Sequence, residues 1–171
     1  MEVFLKLDAS LDQTAGIMSL QNFDGREWDG IGFGKGSPTG APLRWFASSP
    51  GNRTNDQGGA AETLAKDVIH IAITWGQGAT HIYRQGKTYY KFSMGYMENY
   101  HPNNSKIVFG ITHATKEGGF DAFNGTLVEA RLYGRVLTDE EIAASFFAFT
   151  ECPASMSICR ALKPILLMSH W

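Results

Sequence analysis

The sequence predicts an all-β fold, in which two antiparallel sheets pack face to face and one short helix follows them. Short segments with alternating apolar and polar residues recur along the 171 residues, and the 19 glycines lie mostly between them, with Asn, Pro and Ser. Only one segment carries the start signal of a helix. We expect a helix at residues 138–148 and strands near residues 2–7, 15–21, 28–34, 43–48, 68–75, 80–85, 88–93, 106–112 and 124–133.

The last predicted strand and the helix after it carry the clearest local signal. Strand alternation divides residues 124–133 into two faces: Leu127, Glu129, Arg131 and Tyr133 on one, and Val128, Ala130 and Leu132, which we expect to be buried, on the other. Thr138 then precedes Glu141 at the spacing of a capping box. In that motif each side chain accepts a hydrogen bond from the other residue's free backbone amide, so a helix is predicted to begin there.

Composition and charge exclude several classes of partner. The chain has 15 basic and 17 acidic residues, a net charge of −2, and no basic stripe, so we expect no nucleic-acid partner. It contains no apolar run of about 18 residues, so no membrane insertion is expected. The N-terminal segment is interrupted by Glu2 and Asp8 and has the pattern of a strand, so we expect no signal peptide in this chain.

Four motifs occur in a fixed order along the chain: residues 70–75 (HIAITW), 81–87 (HIYRQGK), 106–111 (KIVFGI) and 123–142 (FNGTLVEARLYGRVLTDEEI). Together they resemble the closing half of the laminin-G-like jelly roll of the concanavalin A-like lectin/glucanase superfamily. Residues 28–34 (WDGIGFG) and 108–113 (VFGITH) resemble its bacterial modules, as in planctomycete surface proteins. The resemblance implies a two-sheet antiparallel jelly-roll sandwich with one short C-terminal helix.

The resemblance also implies a domain layout. It assigns residues 1–149 to the laminin-G-like domain and leaves residues 150–171 as an atypical C-terminal tail, whose Cys152 and Cys159 could form a disulfide or stay reduced. Residues 1–7 match a later strand of the family, so its opening strand is expected to be absent. An open sheet edge would then invite strand addition, a homo-oligomer or cover by the tail. Family members of this type imply an extracellular or cell-surface location.

Catalysis by the glucanase route is not favoured. Glucanases of the superfamily carry E-x-D-x-x-E on one strand, and retaining hydrolysis needs two nearby carboxyl groups. Glu27 and Asp29 fill the first two positions here, but Gly32 fills the third and cannot donate a proton. If the protein is instead a small hydrolase of a glycoside, ester or lactone, its catalytic candidates are Asp29, Asp121, Glu129 and His113. Glu129 is more simply a solvated strand residue or a partner of Arg131.

A calcium ion is the cofactor that the resemblance implies, because such domains often bind Ca²⁺ at the rim of a sheet. Asp121 and Asn124 stand just before the last strand, where the family places ligands. Hard cations take 6–8 oxygen ligands, and the adjacent Gly118 and Gly119 would let carbonyl groups turn inward. The alternative is a polar turn that holds no ion. The histidine spacing does not indicate a zinc site.

Carbohydrate recognition requires aromatic platforms and polar groups that fix hydroxyls. The ligand-binding candidates are Trp45, Arg53, Asp56, Tyr83, Arg84 and His113. Large aromatic residues in strands more often fill the core, which is the alternative for Trp45, and Arg53 with Asp56 could equally form an ion pair in the loop. We therefore predict a lectin-like recognition module for a glycan or polysaccharide, assisted by Ca²⁺. The hydrolase and a structural or protein-interaction module of a larger surface protein stay as alternatives, since a fold alone does not choose between them.

Overall fold

A computed structural model describes residues 1–8, 11–35, 40–50, 58–76, 78–93, 96–115, 118–119 and 121–151. In chain order the elements are β1 (Glu2–Leu7), β2 (Ala15–Asn22), β3 (Trp28–Gly34), β4 (Arg44–Ser48), β5 (Ile69–Gly76), β6 (Ala79–Arg84), β7 (Lys87–Phe92), β8 (Ser105–Phe109), β9 (Ala114–Thr115), β10 (Gly118–Gly119), β11 (Gly125–Arg131) and α1 (Asp139–Thr150). The predicted strands and helix are therefore all present; the two-residue strands β9 and β10 were not predicted.

Two antiparallel sheets form the sandwich. One has the strand order β11-β1-β5-β6-β7 and the other β4-β3-β2-β8, while β9 and β10 pair with each other. This arrangement confirms the predicted all-β sandwich with one C-terminal helix. Among the described residues, no helix has both the length and the apolar character needed to cross a membrane. Cys152, Cys159, Arg53 and Asp56 lie outside the described residues.

The core forms where the inward faces of the two sheets meet. Alternate residues of each strand point to the same face, so one face of each sheet can be wholly apolar. Each of these inward side chains is at most 1% exposed: Val3, Leu5 and Leu7 of β1, Ile69, Ile71 and Ile73 of β5, Ile31 and Phe33 of β3, and Trp45 and Ala47 of β4. Removing this apolar surface from water is the main driving force for the packing of the sheets.

Helix α1 covers the outer face of the five-stranded sheet. Its Phe149 stacks on Phe4 of β1 with 3.9 Å between ring centroids, and its Phe146 lies 5.4 Å from the His70 ring of β5. The predicted capping box begins the helix: Glu141 N–H donates to Thr138 Oγ1 (3.2 Å), and Thr138 N–H donates to Glu141 Oε2 (2.9 Å). Strands β1 and β5 are consequently buried on both faces.

A buried carboxylate lies under this helix. Glu2 is fully buried and accepts hydrogen bonds from His70 Nε2 (2.8 Å), Arg131 Nη1 (3.2 Å) and the Tyr133 hydroxyl (2.8 Å). Gly86 N–H donates to the other ring nitrogen of His70, Nδ1, at 3.1 Å, so the proton of the neutral ring sits on Nε2 and is donated to Glu2. The cluster joins β1, β5 and β11 beneath α1.

The predicted facing of β11 was wrong in part. Its pairing with β1 shifts register between Phe4 and Leu5, where Glu129 pairs with Phe4 and Leu127 with Leu5. This bulge leaves Val128 outside the alternation, so Leu127 and Ala130 pack against the core while Val128 is 46% exposed. Leu132, expected to be buried with Val128, is 41% exposed.

Candidate functional site

Aromatic and polar side chains gather where the β2–β3 turn meets the start of β3. We call this region the Trp28 end and define it by Phe23, Trp28, Asp29, Tyr100 and His113. Phe23, in the turn, is 54% exposed, and its backbone N–H donates to the carbonyl of Asn104 at 3.0 Å. Residues 96–104 are thereby tied to the turn. Trp28 is partly exposed and faces away from the core.

The indole of Trp28 and the imidazole of His113 form a parallel stack. Their ring centroids are 3.8 Å apart and their planes differ by 7°. The Trp28 Nε1–H donates to Ser48 Oγ of the neighbouring strand β4 at 3.3 Å, which fixes the plane of the ring. One indole face is therefore covered by His113, and the remaining exposed part of the ring lies at the end of the sheet.

His113 reaches Trp28 because the chain turns back after β8 and crosses the outer face of the four-stranded sheet. Gly16 permits this close crossing, since a Cβ there would lie 2.0 Å from the Thr112 backbone nitrogen. Gln21 then holds both backbone groups of Ala114: its Oε1 accepts from the N–H (2.8 Å), and its Nε2 donates to the carbonyl (2.9 Å). These contacts set the position of His113.

Asp121 lies near enough to His113 to act on its charge. Burial lowers the pKa of His113 below its ordinary value of 6.5, and the Asp121 carboxylate partly opposes this shift. His113 is thus neutral at pH 7. Asp121 accepts a hydrogen bond from the Thr112 hydroxyl at 3.1 Å, and its backbone has a φ of +52°. The structure therefore brings together two of the predicted residues, His113 and Asp121.

Asp29 follows Trp28 but points to the opposite, inward face of the sheet. It is fully buried and accepts three hydrogen bonds: from Ser49 Oγ (2.6 Å), the Glu98 N–H (2.8 Å) and the Tyr100 hydroxyl (2.8 Å). This carboxylate ties β3 to Ser49, which follows β4, and to Glu98 and Tyr100. Its contacts are those of a structural residue.

The Laminin_G_3 model of the concanavalin A-like lectin/glucanases superfamily matches residues 1–143. The chain belongs to this family. No curated protein matches the chain in sequence.

Two solved structures share the fold of this laminin-G-type domain at low sequence identity. A candidate carbohydrate-binding protein from Bacteroides ovatus is 19% identical, with a TM-score of 0.60 over 83% of this chain and 38% of the other. The heptameric SAP-like pentraxin of Limulus polyphemus is 13% identical, with a TM-score of 0.51 over 86% of this chain and 69% of the other. The chain thus spans well under half of the Bacteroides protein. At these identities the likeness establishes the fold alone.

Trp45 and Arg84, two of the ligand-binding candidates in this laminin-G-type domain, both bind Glu62. Trp45 is 1% exposed, and its indole N–H donates to Glu62 Oε2 at 2.8 Å. Arg84 donates to both carboxylate oxygens of Glu62, at 2.8 and 2.6 Å. Burial of Glu62 raises its pKa, but the hydrogen bonds, led by that from Arg84, lower it overall. Sequence reasoning missed Glu62 because it lies in a loop without a motif.

Tyr83 is also corrected from a ligand-facing to a structural residue. It is 2% exposed, and its hydroxyl donates to Asp139 Oδ1 at 2.7 Å, which attaches β6 to the first turn of α1. Burial and this hydrogen bond raise the pKa of Tyr83 to about 12. Arg53 and Asp56 stay predictions, since both lie outside the described residues.

Of the four catalytic candidates of the hydrolase alternative, only His113 and Asp121 lie close together in the fold. Glu129 accepts from Arg131 Nε at 2.7 Å, which confirms the predicted partner, and both lie on the outer face of the five-stranded sheet. Asp29 is on the inward face of the other sheet. At Gly32 a Cβ would lie 2.4 Å from the Phe46 ring, so an aromatic side chain occupies the space beside the incomplete position of the glucanase motif.

The calcium prediction concerns Asp121 and Asn124, both of which are exposed. The Asn124 backbone is held by Gln13, whose Oε1 accepts from its N–H (2.9 Å) and whose Nε2 donates to its carbonyl (3.1 Å). Within the described residues, no group of three His, Cys, Asp or Glu side chains is placed to hold a metal ion. Calcium binding here stays a prediction.

Proposed function

We propose that this laminin-G-type domain is a carbohydrate-binding module whose ligand lies at the Trp28 end. The observation that carries the proposal is the stacked, partly exposed Trp28 ring at the end of a lectin-type sheet. An aromatic ring can cover the apolar face of a pyranose, and Phe23 offers a second exposed ring at the same end. The structural likeness of the domain to a candidate carbohydrate-binding protein supports the same class of ligand.

Polar groups beside the ring would fix sugar hydroxyls. A neutral imidazole can donate through one nitrogen and accept through the other, and His113 is neutral at pH 7. The Asp121 carboxylate adds an acceptor beside it. We therefore expect binding of neutral sugars to be constant above pH 7 and to change as His113 is protonated at acid pH.

A glycan array followed by calorimetry tests the proposal. We expect the full chain to bind at least one glycan or polysaccharide at millimolar concentration or tighter. Trp28→Ala should weaken binding by about fivefold, since stacking on one ring is worth about 1 kcal/mol. Phe147→Ala is the matched control, because Phe147 is an aromatic residue 64% exposed on α1, on the other sheet.

Calorimetry with EDTA tests calcium separately. If Ca²⁺ orders the loop of Asp121 and Asn124, EDTA and Asp121→Asn should weaken binding alike.

An extracellular or cell-surface location is part of the proposal and is checked by fractionating producing cells. The proposal fails if no glycan binds at millimolar concentration, or if Phe147→Ala weakens binding as much as Trp28→Ala.

A further inference from the structure

One side of the sandwich carries a strip of exposed apolar side chains. We call it the open edge and define it by Ile107 and Phe109 of β8 with Val128 and Leu132 at β11, which are 41%, 51%, 46% and 41% exposed. Ile107 pairs with Leu20 and Phe109 with Met18, both of which contact the core. Paired residues share a face of the sheet. Ile107 and Phe109 are therefore directed towards the inside of the sandwich, yet are half open to water.

The two strands that carry this strip, β8 and β11, lie on the same side of the molecule. Each ends its sheet. Across the interface β4 contacts β6 and β3 contacts β5, so the strand orders place β2 against β1 and β8 against β11. The Phe123 N–H also donates to the Gly110 carbonyl at 2.8 Å, which joins the end of β8 to the start of β11.

Of the two edges, β8 is the better template for a further strand. Its pairing with β2 runs from Ser105 to Phe109 without a register shift, so its outer N–H and C=O groups are regularly spaced. The bulge at Val128 disturbs the same spacing in β11. Bulges protect an edge from pairing, whereas a regular edge with apolar side chains invites it.

The chain beyond α1 starts close to this edge. Phe149 stacks on Phe4 of β1, the strand next to β11, so α1 ends on the outer face of the five-stranded sheet, above the strand beside β11. Residues 152–164 could span about 40 Å when extended, several times the roughly 10 Å that separates two packed sheets. They lead to residues 165–168 (ILLM), an apolar run as long as the exposed part of β8.

We propose that residues 152–171 cover the open edge, with residues 165–168 pairing as an additional strand along β8. In an extended segment Ile165 and Leu167 point to one face and Leu166 and Met168 to the other, so either register places two apolar side chains over Ile107 and Phe109. The segment thereby closes the sandwich at its exposed side.

Hydrogen exchange on the full chain tests this assignment. We expect the β8 amides of the monomer to be protected from exchange. The double variant Leu166→Asp/Leu167→Asp changes both faces of the apolar run, and we expect it to accelerate exchange of these amides about tenfold or more. The β5 amides report on the fold and should not change. Phe147→Asp is the control, an apolar-to-Asp change on α1 that should leave β8 exchange unaltered.

An amine-reactive crosslink gives a second readout in the unmodified protein. Lys106 lies on β8 and Lys163 just before the apolar run, so an intramolecular Lys106–Lys163 crosslink is expected, and its absence overturns the proposal even if the variant fails to fold. Unchanged β8 exchange in the double variant also overturns it. So does β8 protection that is lost on dilution of a dimer, because the occupant would then be a second copy.

Discussion

Three buried carboxylates each hold separate parts of the chain together. Glu2, Asp29 and Glu62 are at most 2% exposed, and each accepts at least three hydrogen bonds. A buried charge is tolerated only when it is paired and hydrogen-bonded in this way. Their partners come from distant positions in the sequence, and no local pattern marks them, so their roles could not be predicted from the sequence.

Replacing the Glu2 carboxylate should destabilise the fold strongly. Glu2→Gln keeps the shape but leaves buried Arg131 and the His70 N–H without their charged partner, and we expect a loss of about 3 kcal/mol in the free energy of unfolding. Urea denaturation measures it. Glu141→Gln removes an equally well-formed but exposed ion pair with Arg135, so it should lower the free energy of unfolding far less. Equal losses in the two variants would contradict the structural role given to the buried Glu2 carboxylate.

The same residue predicts a pH dependence. Burial alone would raise the pKa of Glu2, but hydrogen bonds from His70, Ser145 and Tyr133 outweigh it and lower the pKa from 4.5 to about 2. A depressed pKa contributes stability above pH 4.5 that is lost as the pH falls towards 2. The stability difference between wild type and Glu2→Gln should shrink over that range. A difference independent of pH would rule this linkage out.

Gly32 is required by the packing of the side chain next to it. An alanine Cβ would lie 2.4 Å from the ring of Phe46, which is 3% exposed and has little room to move. We expect Gly32→Ala to cost about 1–3 kcal/mol in the free energy of unfolding. Combining it with Phe46→Leu should recover part of that loss in a double-mutant cycle. Additive losses would show that the ring is not the obstacle.

At the scale of elements, the helix start is a local and testable feature. Thr138→Ala removes the acceptor of the Glu141 N–H and should cost about 1 kcal/mol, measured by urea denaturation. Thr150→Ala, at the other end of α1, removes only a hydroxyl that donates to the Phe146 carbonyl and should change stability by less than about 0.5 kcal/mol. If both variants behave alike, the cap contributes nothing specific.

Local signals explain which elements could be predicted. Alternation and turn residues located β1 to β8 and β11 within a few residues of their observed bounds, and the capping box located α1, because each depends on neighbours in sequence. The facing of β11 could not be predicted. It depends on a bulge against β1, a strand far away in sequence, and one extra residue reverses every side chain beyond it.

At the scale of the whole molecule, the aromatic residues divide between core and surface in a way the sequence did not reveal. Trp45 and Tyr83 were candidates for ligand contact and are buried, whereas Trp28, noted only within a motif, lies at the sheet end against His113. Whether each ring is buried depends on the face of the sheet to which its strand position points, and on which other segment of the chain covers that face. Of the candidate site residues named from the sequence, His113 and Asp121 are the two that the fold brings together, and their proximity depends on a chain crossing that no local pattern marks.

The most direct test of the account is to follow the tryptophan indole N–H signals by NMR while a glycan identified on the array is added. The chain has four tryptophans, and Trp45, hydrogen-bonded to Glu62 in the core, is an internal control. We predict that the Trp28 signal moves with saturation at the calorimetric affinity while the Trp45 signal stays fixed. A bound glycan that leaves the Trp28 signal unchanged would contradict the account.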